Sequence, residues 1–207
     1  MSEEIYKVVL VGEMKVGKTC IISQFTKGVF DPNTVTSFTA QFSRKIMEFP
    51  EGKKIVFDVW DTAGQERYRA LAKVFYKNAK AVILVYDITN YDTFKVMKEY
   101  WYHQVKENNT EDAIFAVAGN KNDLYEERKV EDKEGEEFAK SIGAIFASTS
   151  AKNDHGITAL FENIGKKILD PNFGKELNDL SLSKSFKINP NDDDTDQNPK
   201  NGCCSFL

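Results

Sequence analysis

An open, mostly parallel α/β sheet flanked by helices is the fold class predicted for this 207-residue chain. Three observations predict it. Short β-type runs alternate with helix-length segments as far as about residue 170, the pattern of successive βα units. The runs 81–87 and 113–120 are almost continuously apolar, as central strands covered on both faces must be. Finally, Gly12-Glu13-Met14-Lys15-Val16-Gly17-Lys18-Thr19 joins an apolar run to a helix-length stretch, so it forms a strand-to-helix loop.

The elements follow in order. Strand 5–11 leads through that loop into helix 18–27. Strands 40–49 and 54–60 are separated by Pro50-Glu51-Gly52, a tight-turn sequence, and pair as an antiparallel hairpin at one edge. Helix 71–78 and strand 81–87 come next. In helix 93–107, Phe94, Met97, Trp101 and Val105 recur at helical spacing and are assigned to the core. Strand 113–120, helix 133–142, strand 144–148 and helix 157–169 complete six strands, mostly parallel with one antiparallel edge strand. After Leu169 the composition changes abruptly to Asn, Asp, Ser and Lys. Residues 1–170 therefore read as one folded domain, and 171–207 as a disordered tail that cannot bury enough surface to fold.

The bulk numbers exclude several classes. A net charge of −4 without a basic block argues against nucleic acid as a partner. Met1-Ser2-Glu3-Glu4 is acidic and no hydrophobic signal region follows, so no secretory signal is expected. The longest apolar runs, such as 81–86, are too short to span a membrane. Three cysteines occur: Cys20 alone, expected to pack as a small hydrophobe, and Cys203-Cys204 together. That usage suits a reducing compartment.

The chemistry lies in four motifs on strand-end loops. GxxxxGK[ST], spanning Gly12 to Thr19, grips nucleotide phosphates: its glycines let backbone N–H groups close on the negative charge, with the helix N-terminus behind them. Lys18 reaches the β- and γ-phosphates, and the Thr19 hydroxyl holds Mg²⁺. In Trp60-Asp61-Thr62-Ala63-Gly64-Gln65-Glu66, Asp61 supports Mg²⁺, the Gly64 N–H meets a γ-phosphate, and Gln65 orients an attacking water. Asn120-Lys121-Asn122-Asp123 offers a carboxylate to the two adjacent N–H donors of a guanine edge. Adenine leaves that carboxylate badly paired, and such losses make polar discrimination strong. In Ser150-Ala151-Lys152, the Ala151 N–H is placed to donate to the guanine carbonyl. Singly, the last two are weak signals; all four in this order are highly specific.

With these motifs the chain resembles the Ras superfamily of small GTPases over roughly residues 5–170, and its P-loop fold. Within it, Trp60 to Tyr68, Tyr68-Arg69-Ala70-Leu71, Phe75-Tyr76-Lys77-Asn78-Ala79 and Leu84-Val85-Tyr86-Asp87-Ile88-Thr89 look like the Rab family, as does Cys203-Cys204. The run Ser37-Phe38-Thr39-Ala40-Gln41-Phe42 is closest to its endosomal subgroup. The resemblance implies a GTP/GDP switch for vesicle traffic, with Lys18 and Gln65 serving hydrolysis. It implies nucleotide contacts from Gly12, Lys15, Val16, Gly17, Thr19, Cys20 and Lys121 as well, with Phe30 flanking the guanine and Lys152 covering its other side. Residues 34–41 and 61–72 are the two implied switch loops. Implied partners are effectors at those loops, an exchange factor, a GTPase-activating protein, prenylation machinery and a dissociation inhibitor. The implied form is a monomer on the cytoplasmic face of an intracellular, endosomal membrane, cycling with cytosol and carrying lipid on Cys203 and Cys204.

Three departures from the family pattern stand out. Ser37 falls where the first switch presents Thr to Mg²⁺ and the γ-phosphate, with Thr36 as a register alternative. Thr39 replaces a usual Gly. Met14 and Lys15 replace small residues where Gln65 and a partner's catalytic finger must fit. A GTP-held recruitment platform with very slow hydrolysis is therefore the alternative to a hydrolysing switch. An ATP-using phosphotransferase is disfavoured by Asn120 and Asp123.

Other features have plainer readings. Tyr86 and Asp87 read as structural, and His103 and His155 as surface residues. The charge runs 126–129 and 133–137 read as solvated faces. Phe42, Trp60 and Tyr76 are assigned by the resemblance to a partner-binding surface.

Overall fold

The computed structural model describes residues 4–34, 41–62, 75–109 and 112–174. Along them run β1 (Glu4–Val11), α1 (Lys18–Lys27), β2 (Gln41–Glu48), β3 (Lys54–Asp61), β4 (Ala81–Asp87), α2 (Tyr91–Val96), α3 (Tyr102–Asn108), β5 (Ile114–Asn120), α4 (Asp132–Ser141), β6 (Ile145–Ser148) and α5 (Ile157–Leu169). The strand order is β2-β3-β1-β4-β5-β6. β2 runs antiparallel to β3, and every other pairing is parallel. The expected class and the edge hairpin are both present. Glu51 (φ 63°) and Gly52 (φ 70°) turn the hairpin, and Phe49 N–H closes it on the Lys53 carbonyl at 2.8 Å.

Strand alternation explains the near-continuous apolar runs. Val8 and Leu10 of β1, with Ala81, Ile83 and Val85 of β4, pack under α1 and α5. Val9, Val11, Val82, Leu84 and Tyr86 point the other way, under α2, α3 and α4. Both sheet faces are buried, so neither set of side chains needs to be polar. Phe94, Met97, Trp101 and Val105 are at most 1% exposed, as their spacing predicts. That helix begins earlier than the sequence suggests, because the Asn90 side chain accepts from Asp92 N–H and caps it at Tyr91. It also widens into a π turn at Met97–Trp101 between α2 and α3.

Other boundaries shift slightly. Phe49 leaves β2 to pack against Gly165 of α5, and β5 and β6 each start one residue late. Within the predicted helix 71–78, residues 75 and 76 are helical, and a turn follows that ends with Asn78 at φ 60°. The compact unit ends at Pro171; of the second unit, 172–207, residues 172–174 are described. Among the described residues no helix is long and apolar enough to cross a membrane.

This order has a positional consequence. The chain winds from β1 to one side through β2 and β3, then crosses to the other side through β4, β5 and β6. The carboxyl end of β1 is the point where winding reverses, and in such sheets the crevice there binds ligands.

Candidate functional site

β1 delivers the chain to Gly12, whose φ is 149°. A Cβ there would lie 2.2 Å from the Val85 carbonyl oxygen, so only glycine lets the loop lie this close to β4. At the loop's other end Gly17 (φ 97°) opens α1, and a Cβ on it would meet Asn120 Nδ2 at 2.3 Å. That amide donates to the Val16 carbonyl at 2.8 Å, tying the end of β5 to the phosphate loop. Lys18 Nζ donates to the carbonyls of Gly12 and Glu13, each at 2.9 Å. Lys18 is buried, and burial lowers its pKa to about 8 against the opposing charges of Asp61 and Glu13. On the loop's outer side, Lys15 adopts a left-handed backbone (φ 68°), and Met14 beside it is 38% exposed. Glu13 points back toward the sheet: the indole N–H of Trp101, in the π turn, donates to Glu13 Oε1 at 3.0 Å.

The start of α1 and the end of β3 meet beside this loop. Thr19 Oγ1 donates to Asp61 Oδ2 at 2.6 Å. A hydroxyl and a carboxylate are hard oxygen donors, the kind Mg²⁺ takes while keeping waters and substrate phosphates as further ligands. No group of three or more His, Cys, Asp or Glu among the described residues makes a metal cage. The Thr19 hydroxyl and the Asp61 carboxylate fit an ion shared with a polyphosphate. Thr62 follows, buried, with Oγ1 donating to the Leu10 carbonyl at 2.6 Å.

The far end of the site is built by the loops after β5 and β6. Asp123 is oriented by Ser150, whose Oγ donates to Asp123 Oδ1 at 2.6 Å; Lys152 Nζ stands 4.0 Å from Oδ2. Ser150 is 1% exposed and lies behind Asp123. Its backbone exchanges two 3.0 Å hydrogen bonds with His155, whose side chain is exposed, as is that of His103. Thr149 Oγ1 donates to Asn120 Oδ1 at 3.2 Å. Lys121, in a left-handed backbone (φ 69°), sends its ammonium to Asp87 Oδ2 at 2.6 Å.

Between the two ends lies a cavity of about 420 Å³. Gly17, Lys18 and Thr19 line one end; Asn120, Lys121, Asp123, Ala151 and Lys152 line the other; Phe30, Lys15 and Cys20 lie along it. Cys20 is half-buried, touching both core and cavity, and burial raises its thiol pKa while a Thr34 hydrogen bond opposes the shift. Met14, Asp31, Pro32, Thr34, Thr62 and Leu124 also line it, and none of them stood among the sequence's nucleotide contacts. Asp31 to Thr34 could be read as a turn, with Asn33 N–H on Asp31 Oδ1 at 2.9 Å; nothing local puts that turn on the cavity rim. Ser37, Gly64, Gln65, Cys203 and Cys204 lie outside the described residues.

Two plainer readings are corrected. Tyr76 is 1% exposed and belongs to the core, so it presents no surface. Phe75, not Tyr76, meets the other two rings: Phe42, 55% exposed, stacks on Trp60 at 5.7 Å, and Trp60 meets Phe75 at 5.9 Å. Arg128 is not simply solvated. It donates to Asn122 Oδ1 and pairs with Asp132 at 2.8 Å, bracing the 120–123 loop against α4.

The comparisons with known proteins agree with this geometry. The Ras family model matches residues 7–170. Ras-related protein Rab-22A of Mus musculus is 38% identical over 198 residues, covering 96% of this chain and 97% of that protein. Ras-related protein Rab-31 of Homo sapiens is 43% identical over 168 residues, covering 80% and 85%. Ras-related protein SEC4 of Saccharomyces cerevisiae is 34% identical over 202 residues, covering 98% and 92%. Ras-family GTPases bind GTP and GDP, typically with Mg²⁺, and act through effectors, exchange factors and activating proteins. The chain belongs to the Rab family of Ras-superfamily small GTPases, close in sequence to Rab-22A and Rab-31, and is a GTP-hydrolysing switch of vesicle traffic.

Proposed function

We propose that this Rab-family switch holds guanine nucleotide along the cavity that joins the phosphate loop to Asp123. Lys18 and the backbone of Gly12 to Thr19 take the phosphates, with Lys15, Val16 and Cys20 alongside. Asn120, Lys121 and Asp123 take the base; Ser150 holds Asp123; Ala151 N–H meets the guanine carbonyl; Phe30 and Lys152 flank the ring. The observation that carries this reading is the cavity itself: a buried ammonium and an oriented carboxylate at opposite ends of one space of about 420 Å³, within the usual range for ligand pockets. Thr19, Asp61 and Ser37 would hold Mg²⁺, which supplies charge neutralisation on the β- and γ-phosphate oxygens. Gln65 and Gly64 complete the hydrolytic end, and Cys203 and Cys204 carry the lipid that attaches a monomer to an endosomal membrane.

Mass analysis of the nucleotide released from purified protein tests the reading, with GDP or GTP expected. Competition should show much weaker binding of adenine nucleotides, because Asp123 then faces no pair of donors. Equal affinity for ATP and GTP would overturn it. Exposed Met14 at the cavity favours a second reading, a GTP-held platform in which its side chain crowds the hydrolytic end. Single-turnover hydrolysis with and without an activating protein separates them: the switch accelerates strongly with the partner, the platform does not.

A further inference from the structure

Asp87 ends β4 directly beside Asn120 of β5 in the sheet register. It is a buried carboxylate, 7% exposed, and both its oxygens are engaged. Oδ1 accepts from Thr89 N–H at 2.9 Å and from Thr89 Oγ1 at 2.7 Å. Oδ2 accepts from the Lys121 ammonium at 2.6 Å. Its own N–H donates to Thr93 Oγ1 at 3.0 Å, so the backbone that carries it is fixed as well. Lys121 is the unusual partner. It sits in a left-handed backbone that lysine adopts at a cost, between Asn120 and Asp123, and it lines the nucleotide cavity. A long lysine stem there has many rotamers, and ordering it requires a fixed partner for its charge.

We infer that Asp87 is a positioning residue for guanine nucleotide: it fixes the Lys121 ammonium and so lays the lysine stem along the base end of the cavity. This rests on the nucleotide reading above. Asp87 touches no nucleotide in this scheme and acts only through Lys121. Its effect therefore falls on how long a bound nucleotide stays, since an unanchored Lys121 leaves that end of the cavity partly unformed.

GDP dissociation from Asp87→Asn, Lys121→Met and the double variant, loaded as the full-length protein with Mg²⁺, tests this. Asparagine keeps the shape and an acceptor for Thr89 but loses the charge. D87N should release GDP about tenfold faster, the size expected when a charge-assisted hydrogen bond is lost. The double variant should release GDP no faster than K121M, because the two residues act as one unit. A structural role alone predicts a lower melting temperature with unchanged release. Wild-type release from D87N, or effects that multiply in the double variant, would overturn the inference while leaving the nucleotide reading intact. Absence of GDP binding by the wild-type chain would overturn both. If D87N does not fold, NMR of the lysine ammonium groups in GDP-loaded wild-type protein decides. Lys121 should be protected from solvent exchange, and exchange like that of exposed lysines overturns the pairing.

Discussion

Lys18 is charged in a place that disfavours charge. Burial brings its pKa down from 10.5 to about 8, against the pull of Asp61 and Glu13. A bound polyphosphate stabilises the ammonium and raises the pKa again, so binding near or above pH 8 takes up a proton. By linkage, GDP affinity should fall as pH rises from 7 through 8.5. Titration calorimetry in buffers of different ionisation heat should register proton uptake near pH 8; a flat affinity with no proton exchange would refute the assignment. The place of Lys18 and Asp123 at one cavity was legible because spacing alone defines their motifs. The pairing of Asp87 was not, because its partner Lys121 lies 34 positions away.

Helix α5 carries Gly165 on its buried face, where a Cβ would stand 2.1 Å from Phe49 Cζ. Two effects compete in Gly165→Ala. Alanine favours a helix interior by about 1 kcal/mol over glycine, whereas overpacking a filled core costs roughly 1–3 kcal/mol. Phe49 is 7% exposed and held between α5 and the hairpin, so its ring has little room to retreat. Overpacking should win, with a net loss of up to about 2 kcal/mol in denaturant unfolding of the GDP-loaded protein. Phe49→Leu should recover part of that loss in the double variant. A G165A protein at least as stable as wild type would show that the ring moves freely. Sequence periodicity placed α5 at its observed bounds. It missed the π turn because widening by one residue leaves the spacing of Phe94, Met97, Trp101 and Val105 compatible with an ordinary helix.

At the scale of the whole chain, attachment and charge act together. From Pro171 to Leu207 there are four Lys and six Asp or Glu, a net charge of −2, so the tail has little attraction for an anionic leaflet. One lipid chain without a basic patch anchors only reversibly. Stable attachment should therefore need both terminal cysteines, as isoprenoids. Cys203→Ser should weaken sedimentation with membranes, and the double Cys→Ser variant should leave the membrane fraction. Intact mass of the native protein should show two isoprenoid additions; unmodified thiols with undiminished membrane association would reject the anchor.

The order of the elements, the edge hairpin, the glycine-rich loop after β1 and the loop that carries Asp123 were determined by the sequence itself, because each depends on residues close together in the chain. Gly12, Gly17 and Lys18 fall within one eight-residue spacing, and Pro50 to Gly52 turn a hairpin whatever surrounds them. Tertiary structure decided the contacts between segments far apart. It put Tyr76 inside and Phe75 beside Trp60, because a helix turn of one residue exchanges the core for the surface. It brought Trp101 to Glu13 across 88 positions and Asp87 to Lys121, and it set Arg128 between Asn122 and Asp132. Such contacts arise only when the sheet order places strand ends side by side, and that placement follows from burying two apolar faces at once rather than from any local pattern.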